Sequence, residues 1–220
     1  MLSTRRVLGT LLLALLLHAC STATDVPVLP ADAGTVVDPD CPIGFLGDPA
    51  KDPEIEIIAL GADGKSSKVE DGSEVAMILP PDGGRIIYAG VRMTNLDPCN
   101  FKLSGTLRDP QSGALRVDTR TLWRVVEEGN GWGRSDDEDL SSFASVPVCP
   151  NQWSVTDLYS ATYELTMTVT DRGGRTATKT AKVKPACAEP DFEAHCLCIC
   201  KAGHVLGETC SGAGGAGGAP

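Results

Sequence analysis

The sequence predicts an all-β protein, an antiparallel two-sheet sandwich carrying a small disulfide-rich C-terminal module. Three observations lead there. Between Glu54 and Lys184 apolar residues recur every second position, the period of strands with one face buried. Gly (24) and Pro (15) are abundant while aromatics are 5%, a composition suited to short strands and frequent turns. Five of the nine cysteines fall within the 24 residues from Cys187 to Cys210, a segment too short to hold itself together by a core.

The alternation is clearest in Arg85–Asn95, where Ile87, Ala89, Val91 and Met93 interleave with Tyr88, Gly90, Arg92 and Thr94. In Tyr163–Asp171, Tyr163, Leu165, Met167 and Val169 interleave with Glu164, Thr166, Thr168 and Thr170. Cys99, Phe101 and Leu103 repeat the pattern. Asp171-Arg-Gly-Gly174 predicts a hairpin turn into a strand over Arg175–Lys184, and Asp109–Gly113 predicts a second turn. Shorter strands are expected at Glu54–Leu60, Glu74–Leu79, Ala114–Val117 and Leu122–Val126, for seven to nine strands in all. Val155–Tyr159 could form a short helix; no ten-residue amphipathic helix is visible. Glu127–Asp139, with Gly129, Gly131 and Gly133 around Trp132, reads as a long loop.

The stretch from Tyr163 through Gly174 resembles the penultimate strand and final turn of bacterial immunoglobulin-like and PKD-type domains. The fold this resemblance implies is an Ig-like sandwich over residues 54–185. Asp71-Gly-Ser73 and Pro81-Asp-Gly-Gly84, each ahead of a strand, resemble secreted bacterial lipoproteins of the myxobacterial type, a likeness that implies a compartment and a fold but no activity.

The N-terminus supports that compartment. Arg5 and Arg6 precede an apolar run from Val7 to Leu17. Eleven helical residues rise about 16 Å, short of the roughly 30 Å hydrocarbon core, so the run reads as a secretory signal over residues 1–19. Leu17-His-Ala-Cys20 resembles the bacterial lipoprotein processing box, which implies cleavage before Cys20 and acylation of it, palmitate included. The alternative is an ordinary signal cut near Ala23. Ser21 in place of Asp implies sorting to the outer membrane. Two or more acyl chains anchor a protein durably, at about 0.8 kcal/mol per buried methylene. Residues 20–53, with Pro27, Pro30, Pro39, Pro42, Pro49 and Pro53, read as an extended tether. Cys41 within it suggests that its far end is stapled to something folded.

Charge narrows the partners. The chain carries 19 Lys and Arg against 29 Asp and Glu, a net −10 that becomes −12 once Arg5 and Arg6 leave with the signal. Nucleic acid, which needs a basic face, is an unsuitable partner; a protein or glycan ligand remains open.

Removing Cys20 leaves eight cysteines: Cys41, Cys99 and Cys149 in the body, and Cys187, Cys196, Cys198, Cys200 and Cys210 in the module of residues 186–210. Three and five are both odd, so complete pairing requires at least one bridge from body to tail. Cys99 with Cys149 is the expected body pair, leaving Cys41 for the tail; sequence alone does not choose among 105 pairings. Cys198-Ile-Cys200-Lys-Ala-Gly203-His204, followed by Cys210, resembles the second half of an EGF-like module and implies a hairpin there. A metal site using His195, His204 and thiolates is the rival reading, but structural zinc sites favour Cys-x₂₋₄-Cys spacing, so disulfides are expected and no metal or other cofactor. Residues 211–220, all Gly, Ala, Ser and Pro, read as a disordered tail.

No residue set points to catalysis. The mature chain has two histidines, both among the cysteines, and contains no Gly-x-Ser-x-Gly elbow, phosphate-binding loop or His-Glu-x-x-His. The expected role is non-catalytic binding or structure in the cell envelope. The alternatives are an envelope hydrolase using a carboxylate pair, and an inhibitor-like module in the tail. The expected binding surface is Trp132, flanked by glycines, with Asp136, Asp137 and Asp139. That acidic run also raises calcium binding, although it lacks the Asp-x-Asp-x-Asp-Gly alternation. Feeding cells an alkynyl fatty acid is expected to label the wild-type chain and not Cys20→Ala; equal labelling of both contradicts acylation at Cys20.

Overall fold

The computed structural model describes residues 41–210. The expected signal, Cys20, most of the tether and the Gly/Ala tail lie outside them.

Two sheets face each other, each built from strands whose apolar residues alternate. The first has the order β2-β1-β4-β8-β7, from Ser66–Lys68, Glu54–Leu60, Arg85–Thr94, Trp132–Arg134 and Val126–Gly129, with β9 (Ala144–Cys149) also paired to β4. The second has the order β3-β11-β10-β5-β6, from Glu74–Ala76, Thr176–Ala186, Tyr163–Thr170, Phe101–Arg108 and Leu115–Leu122. Every pairing is antiparallel except β3 on β11. The chain crosses between sheets from β2 to β3, β3 to β4, β4 to β5, β6 to β7, and β9 to β10. It is a β-sandwich of two largely antiparallel sheets with a disulfide-rich C-terminal region.

Alternation sorts the side chains as expected. Ile87, Ala89, Val91 and Met93 of β4 are wholly buried against Phe101, Leu103 and Leu107 of β5 and Leu165, Met167 and Val169 of β10. The sheets approach closely at Gly105, where a Cβ would stand 2.9 Å from Val146 Cγ2 and 3.0 Å from Ala144 Cβ. Tyr163, at the start of β10, is buried, and its hydroxyl shares hydrogen bonds with Ser154 Oγ (2.7 Å) and Thr156 Oγ1 (3.2 Å). A tyrosine tied to the connection before this strand is a recurring device of such sandwiches. On the outer face of β10 and β11, Thr166–Thr180, Thr168–Thr178 and Thr170–Thr176 pair hydroxyl to hydroxyl across the ladder.

Several expectations are corrected. Most of the expected loop Glu127–Asp139 belongs to a hairpin, β7 to β8, because Gly129, Asn130 and Gly131 all take positive φ and reverse the chain; only residues 135–139 remain irregular. Leu122–Val126 is not one strand: β6 ends at Leu122 and β7 begins at Val126. The strand β9 escaped notice because Pro147 interrupts its pattern. Residues 41–53 of the expected tether pack on the body: Leu46 is buried, its N–H donates to Leu96 O, and Asn95 takes the Asp48 N–H.

The eight cysteines pair completely, with one bridge from body to tail, but not as expected. The bridges are Cys41–Cys99, Cys149–Cys200, Cys187–Cys196 and Cys198–Cys210. Cys149 lies opposite Arg85 at the start of β4, whereas Cys99 follows the end of β4. Ten residues of strand put these two cysteines about 30 Å apart, far beyond the roughly 7 Å Cα separation that a disulfide tolerates. The Cys-x-Cys segment, expected as an EGF-like hairpin, is instead α1 (Glu193–Ile199) ending at Cys200.

The tail is part of the core. Cys196, Ile199 and Cys200 join the main apolar cluster. Asn151 N–H donates to Ile199 O, and Leu158 N–H to Cys200 O. At the same end Arg85 has no exposed surface; its guanidinium pairs with Glu189, donates to Phe192 O at 3.0 Å and stacks 5.8 Å from the Phe192 ring. Glu189 also accepts the Leu79 N–H. Removing one partner of a buried pair leaves a charge stranded in low dielectric. Glu189→Ala is therefore expected to lower the unfolding free energy by roughly 3 kcal/mol, while Arg85→Met with Glu189→Ala recovers much of the loss. Denaturant titration of the oxidised protein measures both, and an unchanged single variant contradicts the clamp.

Candidate functional site

The expected surface around Trp132 is built from β8 and its neighbours, and its charges are committed to one another. Gly131, at φ +75°, lies so close to Gly47 that a Cβ would meet Gly47 Cα at 2.7 Å. This packing turns Trp132 back across the sheet, opposite Thr94 of β4. There Arg92 covers the indole, its guanidinium carbon 4.5 Å from the ring centroid. Trp132 is half-buried rather than exposed.

Arg92 and Arg134 stand opposite each other on adjacent strands, a repulsive pair unless acids intervene. Glu128 bridges both, Glu56 takes a further Arg92 nitrogen at 2.8 Å, and Asp137 takes Arg134 at 2.9 Å. Lys68 extends the chain to Glu56 and Glu70, each at 3.2 Å. Hydrogen bonding from Arg92, reinforced by Lys68, holds the Glu56 carboxyl below the usual range despite its partial burial. Burial alone would raise Asp137, but hydrogen bonds from Ser66 and the Arg134 charge lower it.

The remaining acids of the run serve the local backbone. Asp136 Oδ1 accepts the Glu138 N–H, and Asp139 Oδ1 caps a 3₁₀ turn at Leu140–Ser142 through the Ser141 N–H and hydroxyl. The run does not converge on a cation. Among the described residues, the groups of His, Cys, Asp or Glu close enough to share an ion are Cys198–His204–Cys210 and Cys41–Asp97–Cys99, and each contains a disulfide. His195 lies on α1 within the tail, its pKa lowered by burial and then by Arg85 and His204.

The exposed tryptophan is Trp123, which lies outside the binding surface expected from the sequence. It stands 78% exposed directly after β6, on the bend that leads to β7. Its carbonyl accepts the Asn100 N–H, which holds the bend against the start of β5 and aims the ring outward. A shallow hollow of about 420 Å³ beside it is lined by Arg120, Leu122, Arg124, Asp139 and Ser141. Arg124 makes no ion pair with a described residue. On β6 itself Leu115 and Val117 are about half exposed. The local signal was there: Leu115, Val117, Thr119, Thr121 and Trp123 share one parity, and Leu122, of the opposite parity, is the buried one.

The strand carrying this row pairs with β5 on one side, and no described residue hydrogen-bonds the other edge of its backbone. The other sheet edges are short or blocked. Strands β2 and β3 have three residues each, and β7 carries Glu127 and Glu128 beside a register shift. On β9, Pro147 removes one donor, Asp118 accepts the Ser145 N–H at 2.8 Å, and Trp153 Nε1 donates to Val148 O at 2.8 Å. Such devices keep sheets from pairing with other chains. The edge of β6 has no Pro, Gly or register shift and its outer backbone is unpaired; its protection is confined to the inward-facing Arg116, Asp118 and Arg120, of which Asp118 is bonded to β9. No protein-family model, curated protein or solved structure matches this chain.

Proposed function

We propose that this chain is a lipid-anchored protein of the cell envelope, held at the outer membrane through Cys20, with a non-catalytic binding or structural role exercised at the β6 edge. The observation that carries the reading is Trp123, a large aromatic held exposed at the end of an eight-residue edge strand whose outer side is unpaired. Exposed aromatics beside open edges are the surfaces that proteins and glycans engage.

Four disulfides in the described residues fit an oxidising compartment beyond the cytosol. They also suit a module that must hold its shape while tethered. The acids supply support of a different kind. A carboxylate pair working as acid and base needs one member raised toward neutrality. The shifted carboxyls here, Glu56, Asp109, Asp137 and Glu208, all move downward. Arg92 lowers Glu56 and Lys201 lowers Glu208. For Asp109 and Asp137 hydrogen bonds outweigh burial. These carboxylates act as acceptors that hold loops and strands in place.

A photoreactive benzophenone amino acid at position 123 tests the reading in living cells. Ultraviolet light is expected to give discrete adducts of the chain from position 123, and none from Asp82, an exposed turn residue at the opposite end of the sandwich. Absence of adducts at 123, or equal adducts at both positions, contradicts a binding role for this edge.

A further inference from the structure

We infer that the partner of the β6 edge is a second copy of this chain, joined antiparallel about a two-fold axis through Thr119. The inference rests on the proposed role of this edge and names its occupant.

The backbone provides the attachment. Leu115–Leu122 offers eight residues without Pro or Gly and with its outer edge unpaired, so a second strand can extend the five-stranded sheet. A symmetric interface uses the same patch twice, and an antiparallel self-pairing must set each side chain opposite one on the same face. Only registers centred on a residue satisfy both conditions.

The charges then choose among them. On the face turned toward the sandwich interior, β6 carries Arg116, Asp118 and Arg120. A register centred on Asp118 sets Asp118 against its own copy and Arg116 against Arg120, all like charges. One centred on Arg120 sets Arg120 against its copy. One centred on Val117 pairs Arg116 with Asp118 but runs the end of the strand into the Asp109–Gly113 turn, leaving Trp123 without a facing residue.

Centring on Thr119 sets Asp118 opposite Arg120 of the second copy, twice. It also uses the whole strand. Within one chain Asp118 Oδ2 already accepts from Arg120 Nε at 2.7 Å and from the Ser145 N–H at 2.8 Å, leaving Oδ1 for the second copy, so pairing would join two such ion pairs into a four-membered, alternating ring of charge. On the opposite face the same register lays Val117 against Thr121 and Leu115 against Trp123. The most exposed aromatic thus meets an exposed leucine, and both exposed apolar side chains of β6 gain facing neighbours. Opposite charges and apolar pairs directly across a ladder are the stabilising arrangements of sheets.

A single edge pairing makes a small interface, so the association is expected at roughly micromolar to 100 micromolar concentrations. Sedimentation velocity of the full chain carrying Cys20→Ser, over that range, is expected to show a monomer–dimer equilibrium. Thr119→Lys, which sets two ammonium groups against each other on the axis, is expected to weaken the dimer at least tenfold with the thermal midpoint unchanged. Val117→Lys alone weakens it, whereas Val117→Lys with Thr121→Glu restores it, because position 117 faces position 121 of the other copy only in this register. A monomer throughout, or a Thr119→Lys dimer as tight as wild type, overturns the inference. A double variant no tighter than Val117→Lys overturns the register and with it the two-fold through Thr119. If the chain stays monomeric while position 123 still gives adducts to another molecule, the self-pairing fails and the binding role of the edge stands.

Discussion

Arg85 sets the terms for the rest of the molecule. Its guanidinium has no exposed surface, and one of its nitrogens, Nε, finds no partner. Burial pushes its pKa down, and the Glu189 charge opposes that shift. A cation so placed at the start of β4 is tolerable only when the C-terminal segment supplies Glu189 and the Phe192 carbonyl. The tail is therefore a structural wall of the sandwich and not an appended module. The Cys149–Cys200 bridge and the bonds from Asn151 and Leu158 to tail carbonyls fasten the same end, and Asp157 adds another by accepting the Ala202 N–H. Cys41–Cys99 closes the opposite end and draws residues 41–53 onto the body.

The parts of this fold legible in the sequence are those governed by local periodicity. The alternation of β4 and β10, and the hairpin at Asp171–Gly174, follow from residues a few positions apart. The strand β9 was hidden because Pro147, which removes a donor from its free edge, also breaks its pattern. The count of cysteines implied a body-to-tail bridge, since parity is a property of composition. Which cysteine made it depended on where β4 ends, a distance no spacing of cysteines records. The helix at Glu193–Ile199 was masked for a similar reason: closely spaced cysteines suggested a hairpin, while α1 spreads Cys196, Cys198 and Cys200 among three different bridges.

The candidate surface shows the same division. Trp132 and its acids were legible as a group, and the structure does bring Trp132 together with Asp137, through Arg92, Glu128 and Arg134. What could not be read was that these charges neutralise one another, because the arginine pair is formed across strands distant in sequence. Trp123 is the converse case. Its outward parity along β6 was visible, but its neighbours in sequence are apolar or basic, and the bend after Leu122 that leaves the ring uncovered was not. With the charged face around Trp132 internally satisfied, the proposed binding role rests on the exposed Trp123 and the unpaired edge of β6.

Native-state amide hydrogen exchange of the oxidised full chain tests most directly whether tail and sandwich are one folded unit. The N–H groups of Asn151 and Leu158, which donate to tail carbonyls, and that of Cys200 are expected to exchange as slowly as the core amides of β4 and β10, and to be released in the same global opening. Fast exchange at these three positions while β4 and β10 remain protected would show that the tail opens on its own, and would contradict the account.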